Sequence, residues 1–188
     1  MERRELIKMI AALTGGVFIG GGLLTGCNNE DEVGGLAFSK TDISFLDEVA
    51  DTILPATKTP GAKSAGVGKF IERMVNKTYN ENNQQVFHKG MATLNEASKK
   101  DTGKSFVDAT PAQRTTLLTA IDKEAKAYQQ KKKDGEPSHY FTMMKQLILL
   151  GFFTSKVGAT EVLRYKAVPG KYDGDYPYKK GDKAWATS

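Results

Sequence analysis

The sequence is poor in the residues that most redox and metal centres need. Its 188 residues include one cysteine, Cys27, and two histidines, His88 and His139. A single cysteine cannot form a disulfide within the sequence, and covalent haem and iron–sulfur clusters need several cysteines. Neither histidine has a cysteine, a second histidine or paired carboxylates at the spacing of metal ligands. We therefore interpret both as surface or helix-capping residues.

The motifs of common catalytic sites are also missing. There is no Gly-x-Ser-x-Gly elbow and no Gly-x-Gly-x-x-Gly nucleotide loop. Residues 102–105 resemble the end of a phosphate-binding loop, but Ser98 stands where its first glycine should be. Residues 173–175 begin like a calcium loop, but tyrosine and proline follow in place of ligands. We predict no catalytic residue, no metal site and no cofactor site in this chain, and hence not an enzyme.

Positive charge is present without a pattern that suits nucleic acid. The formal net charge is +5, and the charged residues are scattered along the chain. The only basic run, residues 131–133, precedes a turn sequence, Asp-Gly-Glu-Pro. A nucleic-acid surface would need a basic face with aromatic residues interleaved. We therefore predict no nucleic-acid partner.

Long apolar runs are scarce, and the first 27 residues hold the most informative one. Residues 9–24 form a run of 16 that contains five glycines, whereas a spanning helix needs roughly 20 apolar residues. Arg3 and Arg4 precede the run, and a Leu-Thr-Gly-Cys sequence ending at Cys27 follows it. This order is typical of a twin-arginine, lipoprotein-type signal peptide.

Residues 1–26 are therefore predicted to be a cleaved signal peptide, with Arg3 and Arg4 as the export signal and lipid on Cys27. The mature protein would be a membrane-anchored lipoprotein on the periplasmic or cell-surface side. A buried helix or a single anchor helix is the alternative interpretation of residues 9–24.

The remainder predicts an all-α fold. Residues 27–38 are polar and acidic and indicate a flexible tether. Residues 39–188 are predicted to form a single helical bundle domain, of which residues 166–188 are an extended aromatic C-terminal arm. Thr110 followed by Pro111 and Gln113 predicts a capped helix start. Helical spacing predicts an inward-facing set: Leu46, Val49, Ala50, Ile53, Val67, Phe70, Ile71, Met74, Val75, Thr78, Phe87, Met91, Leu94, Leu117, Leu118, Ile121, Ala125 and Tyr128.

Residues 140–153 are apolar nearly all round, which predicts the buried centre of the bundle, with Ser138 as its cap. A membrane span is the alternative, but the run is short and Lys145 interrupts it. The arm that follows contains Tyr172, Tyr176, Tyr178 and Trp185, and a tail so aromatic is not composed like a disordered one. Such side chains pack on a surface, which can be the chain's own helices or another protein; the sequence leaves both open.

Several motifs resemble the gluconate 2-dehydrogenase subunit 3 family. In the last third they are residues 149–165, LLGFFTSKVGATEVLRY, residues 168–177, VPGKYDGDYP, and residues 181–185, GDKAW. Upstream they are residues 50–55, ADTILP, and residues 59–62, TPGA. The resemblance runs from about Ser39 to the end of the chain. The lipoprotein-type leader departs from the plain leader of many family members.

The resemblance implies a non-catalytic small subunit of a flavin-dependent dehydrogenase complex. Its partner would be a large flavoprotein of the glucose–methanol–choline type, which binds FAD and oxidises a sugar or sugar acid, and a cytochrome c subunit can carry the electrons onward. The small subunit would bind this partner, escort it through twin-arginine export and tether it to the membrane. A free-standing envelope lipoprotein that binds a ligand or another envelope protein is the alternative. The residues predicted for the partner interface are Gly158, Glu161, Tyr165, Tyr172, Tyr176 and Trp185.

Overall fold

The computed structural model describes residues 33–34, 37–168 and 170–186. These residues form five α-helices and no β-strand, which confirms the all-α prediction for this part of the chain. A 3₁₀ helix, Ala62–Ala65, lies in the connector after the first α-helix, and a π-helical turn, Gly158–Val162, follows the last. The α-helices are α1 (Lys40–Ile53), α2 (Val67–Thr78), α3 (Glu81–Thr102), α4 (Pro111–Lys131) and α5 (Tyr140–Phe153). Arg3, Arg4, Cys27 and the predicted signal peptide lie outside the described residues.

Local capping explains where several helices begin. Thr110 and Gln113 form the predicted capping box at the start of α4, with Pro111 in the first turn. Ser39 and Asp42 form a second box at the start of α1. The prediction that Ser138 caps α5 is wrong, because His139 takes that role: its Nδ1 accepts a hydrogen bond from the Phe141 amide at 3.2 Å. The interpretation of His139 as a capping residue is thereby confirmed.

Helix α5 lies at the centre of the bundle and contacts all four other α-helices. Phe141, Met144 and Ile148 on this helix are 2% exposed or less. Gly151 lets α2 approach closely, since a Cβ there would lie 2.5 Å from Phe70 Cδ1. The sequence prediction of a buried central helix is therefore confirmed for most of its circumference.

Four side chains that were expected to face inward are exposed, among them Thr78, the last residue of α2. Leu149 and Leu150 of α5 are 36% and 46% exposed, so this helix has an open apolar side. Tyr128, expected to point inward from α4, is 36% exposed and donates its hydroxyl hydrogen to the Pro137 carbonyl at 3.0 Å. A tyrosine at a bundle rim keeps its polar tip near solvent or a carbonyl group.

His88 shows the opposite error, because it was interpreted as a surface residue and is only 7% exposed. Its ring lies 4.5 Å from that of Phe38, which covers α3 from the segment before α1. Val33 is also buried, and Gly34 packs against the backbone of α3 at His88 and Ala92. The described residues before α1 thus lie on the helical bundle.

None of the helices in the described ranges combines the length and hydropathy that a bilayer crossing needs.

Candidate partner-binding surface

The C-terminal loop, residues 165–185, leaves the helical bundle and returns to its own starting point. The Arg164 amide donates to the Ala184 carbonyl at 2.8 Å, and the Ala186 amide donates to the Arg164 carbonyl at 2.9 Å. These bonds form an isolated parallel bridge between Arg164 and Trp185. The two ends of the loop are therefore joined by backbone hydrogen bonds.

The side chain of Arg164 reinforces this closure. Its guanidinium carbon lies 4.4 Å from the centre of the Trp185 ring and 5.4 Å from that of Tyr176. Nη1 donates to the Tyr176 hydroxyl at 3.2 Å, and Nη2 donates to the Lys183 carbonyl at 3.0 Å. A planar guanidinium can stack on a ring and donate in its own plane at the same time. We call Arg164, Tyr176, Lys183 and Trp185 the Arg164 clasp.

Four further contacts strengthen the clasp. The amino group of Lys183 donates to the Glu161 carbonyl, which ties the loop to the π-helical turn. The Asp182 carboxylate accepts from the Lys179 amide at 2.9 Å and lies 3.9 Å from Arg164 Nη2. The rings of Tyr176 and Trp185 meet edge to face with centres 5.4 Å apart. The place where the two ends of the loop meet is thus held by many contacts.

The rest of the loop is open to solvent. Tyr172 is 96% exposed, Tyr178 77%, Val168 76% and Tyr165 52%. Large exposed apolar side chains grouped in one segment mark interaction sites more often than single ones do. Tyrosine also supplies apolar area and a polar tip at interfaces.

The predicted interface residues fall into three groups that differ in solvent exposure. Glu161, Tyr165 and Tyr172 are exposed. Tyr176 and Trp185 are about half exposed and belong to the clasp. Gly158 is buried.

Gly158 packs against its own chain. A Cβ at this position would overlap the carbonyl oxygen of Phe152 and lie 3.1 Å from the Phe153 Cα atom. The Ser155 hydroxyl accepts a hydrogen bond from the Gly158 amide at 3.0 Å. The glycine therefore allows the tight turn that joins α5 to the π-helical turn, which carries Glu161.

Sequence reasoning missed Arg164 as a site residue. The only local signal is an arginine at the point where helical spacing ends and an aromatic segment begins. Its ring partners lie 12 and 21 residues further along. Contacts at such separation cannot be predicted from helical or strand periodicity.

A comparison with protein-family models matches residues 40–170 to gluconate 2-dehydrogenase subunit 3. That range covers well over half of the 188 residues. The chain belongs to the gluconate 2-dehydrogenase subunit 3 family. No curated protein and no solved structure matches it significantly.

The family match divides the candidate surface. It includes the whole helical bundle, the π-helical turn, Arg164 and Tyr165. Tyr172, Tyr176 and Trp185 lie beyond its end. In this family member the residue that anchors the clasp is therefore inside the family region, and its ring partners are outside.

Two polar clusters in the bundle of this subunit 3 family member serve its packing. The Glu48 carboxylate accepts hydrogen bonds from Arg114 of α4 and from Lys63 of the 3₁₀ helix. Although burial favours the neutral acid, these two hydrogen bonds hold the pKa of Glu48 below its ordinary value. Arg114 also donates to the Val107 carbonyl, so the cluster joins α1, α4 and the loop before α4.

The second cluster holds the segment before α1. Asp42 is fully buried and accepts from the amides of Gly34 and Ser39, both at 2.8 Å, and from the Ser39 hydroxyl at 2.9 Å. Burial lowers the pKa of His88, and the Asp42 charge acts in the opposite direction. Within the described part of the chain, His88 Nδ1 has no hydrogen-bond partner. Asp42 and His88 are both buried, and Asp42 bonds the segment before α1, so we assign this cluster a packing role.

A polar cavity of about 340 Å³ lies between the α2–α3 junction and the start of α5. Asn82, Asn83, Ser138 and Gln146 line it, above a floor that includes Met143. Among the described residues, no group of three or more His, Cys, Asp or Glu side chains could hold a metal ion. The cavity thus offers neutral amide and hydroxyl groups beside the carboxylate of Glu136, which also lines it.

Proposed function

We propose that this chain is the non-catalytic small subunit of a flavin-dependent dehydrogenase complex. The observation that carries the proposal is the match to the subunit 3 family over residues 40–170. The large subunit is a flavoprotein of the glucose–methanol–choline type, binds FAD and oxidises a sugar or sugar acid. The electrons pass onward to a cytochrome c subunit.

The exposed aromatic side chains support a binding role for this subunit. Tyr165 and Tyr172 present large apolar areas to solvent, and Tyr176 and Trp185 keep their outer faces open. We assign the interface to these four residues together with Glu161 and the neighbouring exposed Tyr178. Gly158 contributes by shaping the turn that carries Glu161 and does not itself touch the partner.

The sequence supports export and anchoring. A flavoprotein folds around FAD in the cytoplasm, and the twin-arginine route carries folded cargo. One leader with Arg3 and Arg4 can therefore export both subunits of a preformed complex. Lipid on Cys27 then holds the complex at a membrane.

Co-expression with the flavoprotein subunit of the same organism tests the escort role. Replacing Arg3 and Arg4 by lysine should retain both proteins in the cytoplasm, as measured by fractionation and FAD content. Arg73→Lys, at an exposed arginine on α2, is the matched control and should leave export unchanged. Unchanged export of the flavoprotein in the double variant would refute the escort role.

Cys27→Ser tests the anchor independently. It should release the exported complex from the membrane fraction into the soluble fraction, while the FAD content of the complex stays the same. Retention of the variant at the membrane would refute lipid anchoring through Cys27.

The polar cavity beside α5 favours the second candidate, a free-standing envelope lipoprotein that binds a small polar ligand. The side-chain amide groups of Asn82, Asn83 and Gln146 make no hydrogen bond within the described residues and are available to a ligand. Pull-down of the chain from native membranes followed by mass spectrometry separates the two functions. Recovery of a flavoprotein supports the subunit, and its absence supports the free-standing lipoprotein.

A further inference from the structure

We propose that Arg164 holds the C-terminal loop as a preformed recognition element, which binds an acidic protein surface through Tyr172 and Tyr178. The inference rests on the proposed function, because it specifies how this subunit recognises its partner. Arg164 is a positioning residue in this account, and the two tyrosines are the anchors.

Preformation follows from the way the loop is closed. A segment of this length without regular secondary structure is normally mobile unless something fixes it. Here the backbone bridge at Arg164 joins its ends, and the guanidinium group contacts Tyr176, Lys183 and Trp185 together. A loop that is already ordered avoids the entropic cost of ordering when it binds.

Lysine could not take the place of Arg164. The contacts need one planar group that stacks on the Trp185 ring and donates in two directions, to the Tyr176 hydroxyl and to the Lys183 carbonyl. An ammonium group is a compact point charge without a planar face. Arg164→Lys therefore keeps the charge and loses the geometry.

Some aromatic side chains of the loop make its internal contacts, and others are open to solvent. Tyr176 and Trp185 are committed to Arg164, whereas Tyr172 and Tyr178 are 96% and 77% exposed and have no hydrogen-bond partner within the described residues. Exposed tyrosines on an ordered segment can enter pockets of a partner with little loss of side-chain entropy. They are the anchors that the clasp leaves free.

The charges of the loop indicate the chemistry of the partner. Four lysine side chains make no hydrogen bond or ion pair within the described residues, whereas Lys183 is used by the clasp. Asp182 is bonded to the Lys179 amide, and Asp173 accepts from the Asp175 amide in the turn between the two tyrosines. The loop holds five lysines and three aspartates, so its net charge is positive, which complements a carboxylate-rich surface. The four free lysines are Lys166, Lys171, Lys179 and Lys180.

A lipid surface fits the same loop less well. Lysines and aromatic side chains also bind anionic bilayers. However, Asp173 and Asp175 lie directly between the exposed tyrosines, and carboxylates at that place would be repelled by anionic headgroups. A protein surface with pockets can avoid the two carboxylates, so the observations favour a protein.

The clasp can be tested on the full chain alone, because Trp185 is its only tryptophan. Arg164→Gln and Arg164→Lys should shift the Trp185 emission to longer wavelength and increase its quenching by iodide. Arg73→Gln on α2 removes the same charge and should change neither. Helical circular dichroism of all variants should match the wild type, since the helical bundle does not depend on the clasp. Unchanged emission and quenching in Arg164→Gln would overturn the clasp.

The anchors are tested with the purified flavoprotein subunit. Tyr172→Ala and Tyr178→Ala should each weaken its binding about tenfold and leave Trp185 emission unaltered. Arg164→Gln should weaken binding and alter the emission. Lys171→Glu should weaken binding more at low salt than at high salt, and Lys77→Glu on α2 is its control. Wild-type affinity in both tyrosine variants would overturn the anchors.

Two outcomes separate this inference from the proposed function. If the wild-type chain does not bind the flavoprotein, the proposed function fails, whereas the fluorescence test still decides the clasp. Phosphatidylglycerol vesicles probe the lipid alternative, with the Cys27→Ser variant to remove the anchor. Vesicle binding that Tyr172→Ala abolishes would overturn the choice of a protein partner, and its absence supports that choice.

Discussion

The helical bundle and the C-terminal loop are held in shape by different interactions. In the bundle, Phe45, Phe87 and Phe106 are completely buried, and the helices around them share one apolar core. In the loop, every described residue is exposed, and its shape depends on the contacts of Arg164. Burial stabilises the whole bundle, whereas the clasp orders only the loop. Mutations in the two regions should therefore separate stability from binding.

The largest loss of stability is expected from a mutation in the apolar core. Phe87→Ala removes a fully buried ring that packs against Phe38 and Tyr79. The free energy of unfolding should fall by about 3–5 kcal/mol, through lost burial and the cavity left behind. Urea denaturation followed by circular dichroism measures it. Tyr178→Ala truncates an exposed aromatic side chain and is the control; equal losses in the two variants would contradict the contrast between the regions.

A mutation in the turn between the helical bundle and the C-terminal loop should give the next largest loss of stability. Gly158→Ala places a methyl group against the Phe152 carbonyl, so the backbone must shift. We expect a loss of about 1–3 kcal/mol in stability, as for other overpacked sites. The control is Gly174→Ala in the loop, where the nearest side-chain atom would be 3.4 Å away. Thermal melts that agree for wild type and Gly158→Ala would show that the turn is not tight.

The Glu48 cluster predicts a smaller, pH-dependent effect. Glu48→Gln should lower stability at pH 7 by about 1–3 kcal/mol, because it weakens charge-assisted hydrogen bonds to Arg114 and Lys63. The pKa of Glu48 is lower in the folded protein, so its stabilising effect is full above the unfolded pKa of about 4.3 and is lost as the pH falls through the folded value.

The difference between wild type and Glu48→Gln should therefore narrow below about pH 4, as measured by urea denaturation across pH. Glu96→Gln, at an exposed carboxylate on α3, is the matched control and should show no such difference. A gap that stays constant down to pH 2 would mean that the Glu48 charge contributes nothing.

The smallest effect on stability is expected at the tip of the loop. Tyr172→Ala should change the free energy of unfolding by no more than about 0.5 kcal/mol, because the side chain is almost entirely in solvent. Urea denaturation of the isolated chain measures this. A loss above about 1 kcal/mol would show that the loop belongs to the cooperative core.

Much of the helical bundle could be predicted because its signals are local. Spacing of apolar residues placed Phe87, Met91 and Leu94 inside α3, and all three are fully buried. Thr110 and Pro111 marked the start of α4 because capping involves neighbours in sequence. Such signals need no knowledge of the rest of the fold.

The errors arose where a distant segment determines the environment. His88 belongs to a helix of mainly polar composition but lies under Phe38, which comes from a segment 50 residues earlier. Leu149 and Leu150 lie in an apolar run, yet no other described element covers them. Burial of a side chain depends on what packs over it, and helical periodicity does not carry that information.

For the candidate surface, the sequence by itself determined that an aromatic segment follows the last helix. Only the tertiary structure decided which aromatic side chains are free and which are bound. Arg164 selects Tyr176 and Trp185 through contacts across 12 and 21 residues, and this leaves Tyr172 and Tyr178 in solvent. The physical reason is that loop closure and stacking depend on distance in space, whereas capping and helical amphipathicity depend on distance along the chain.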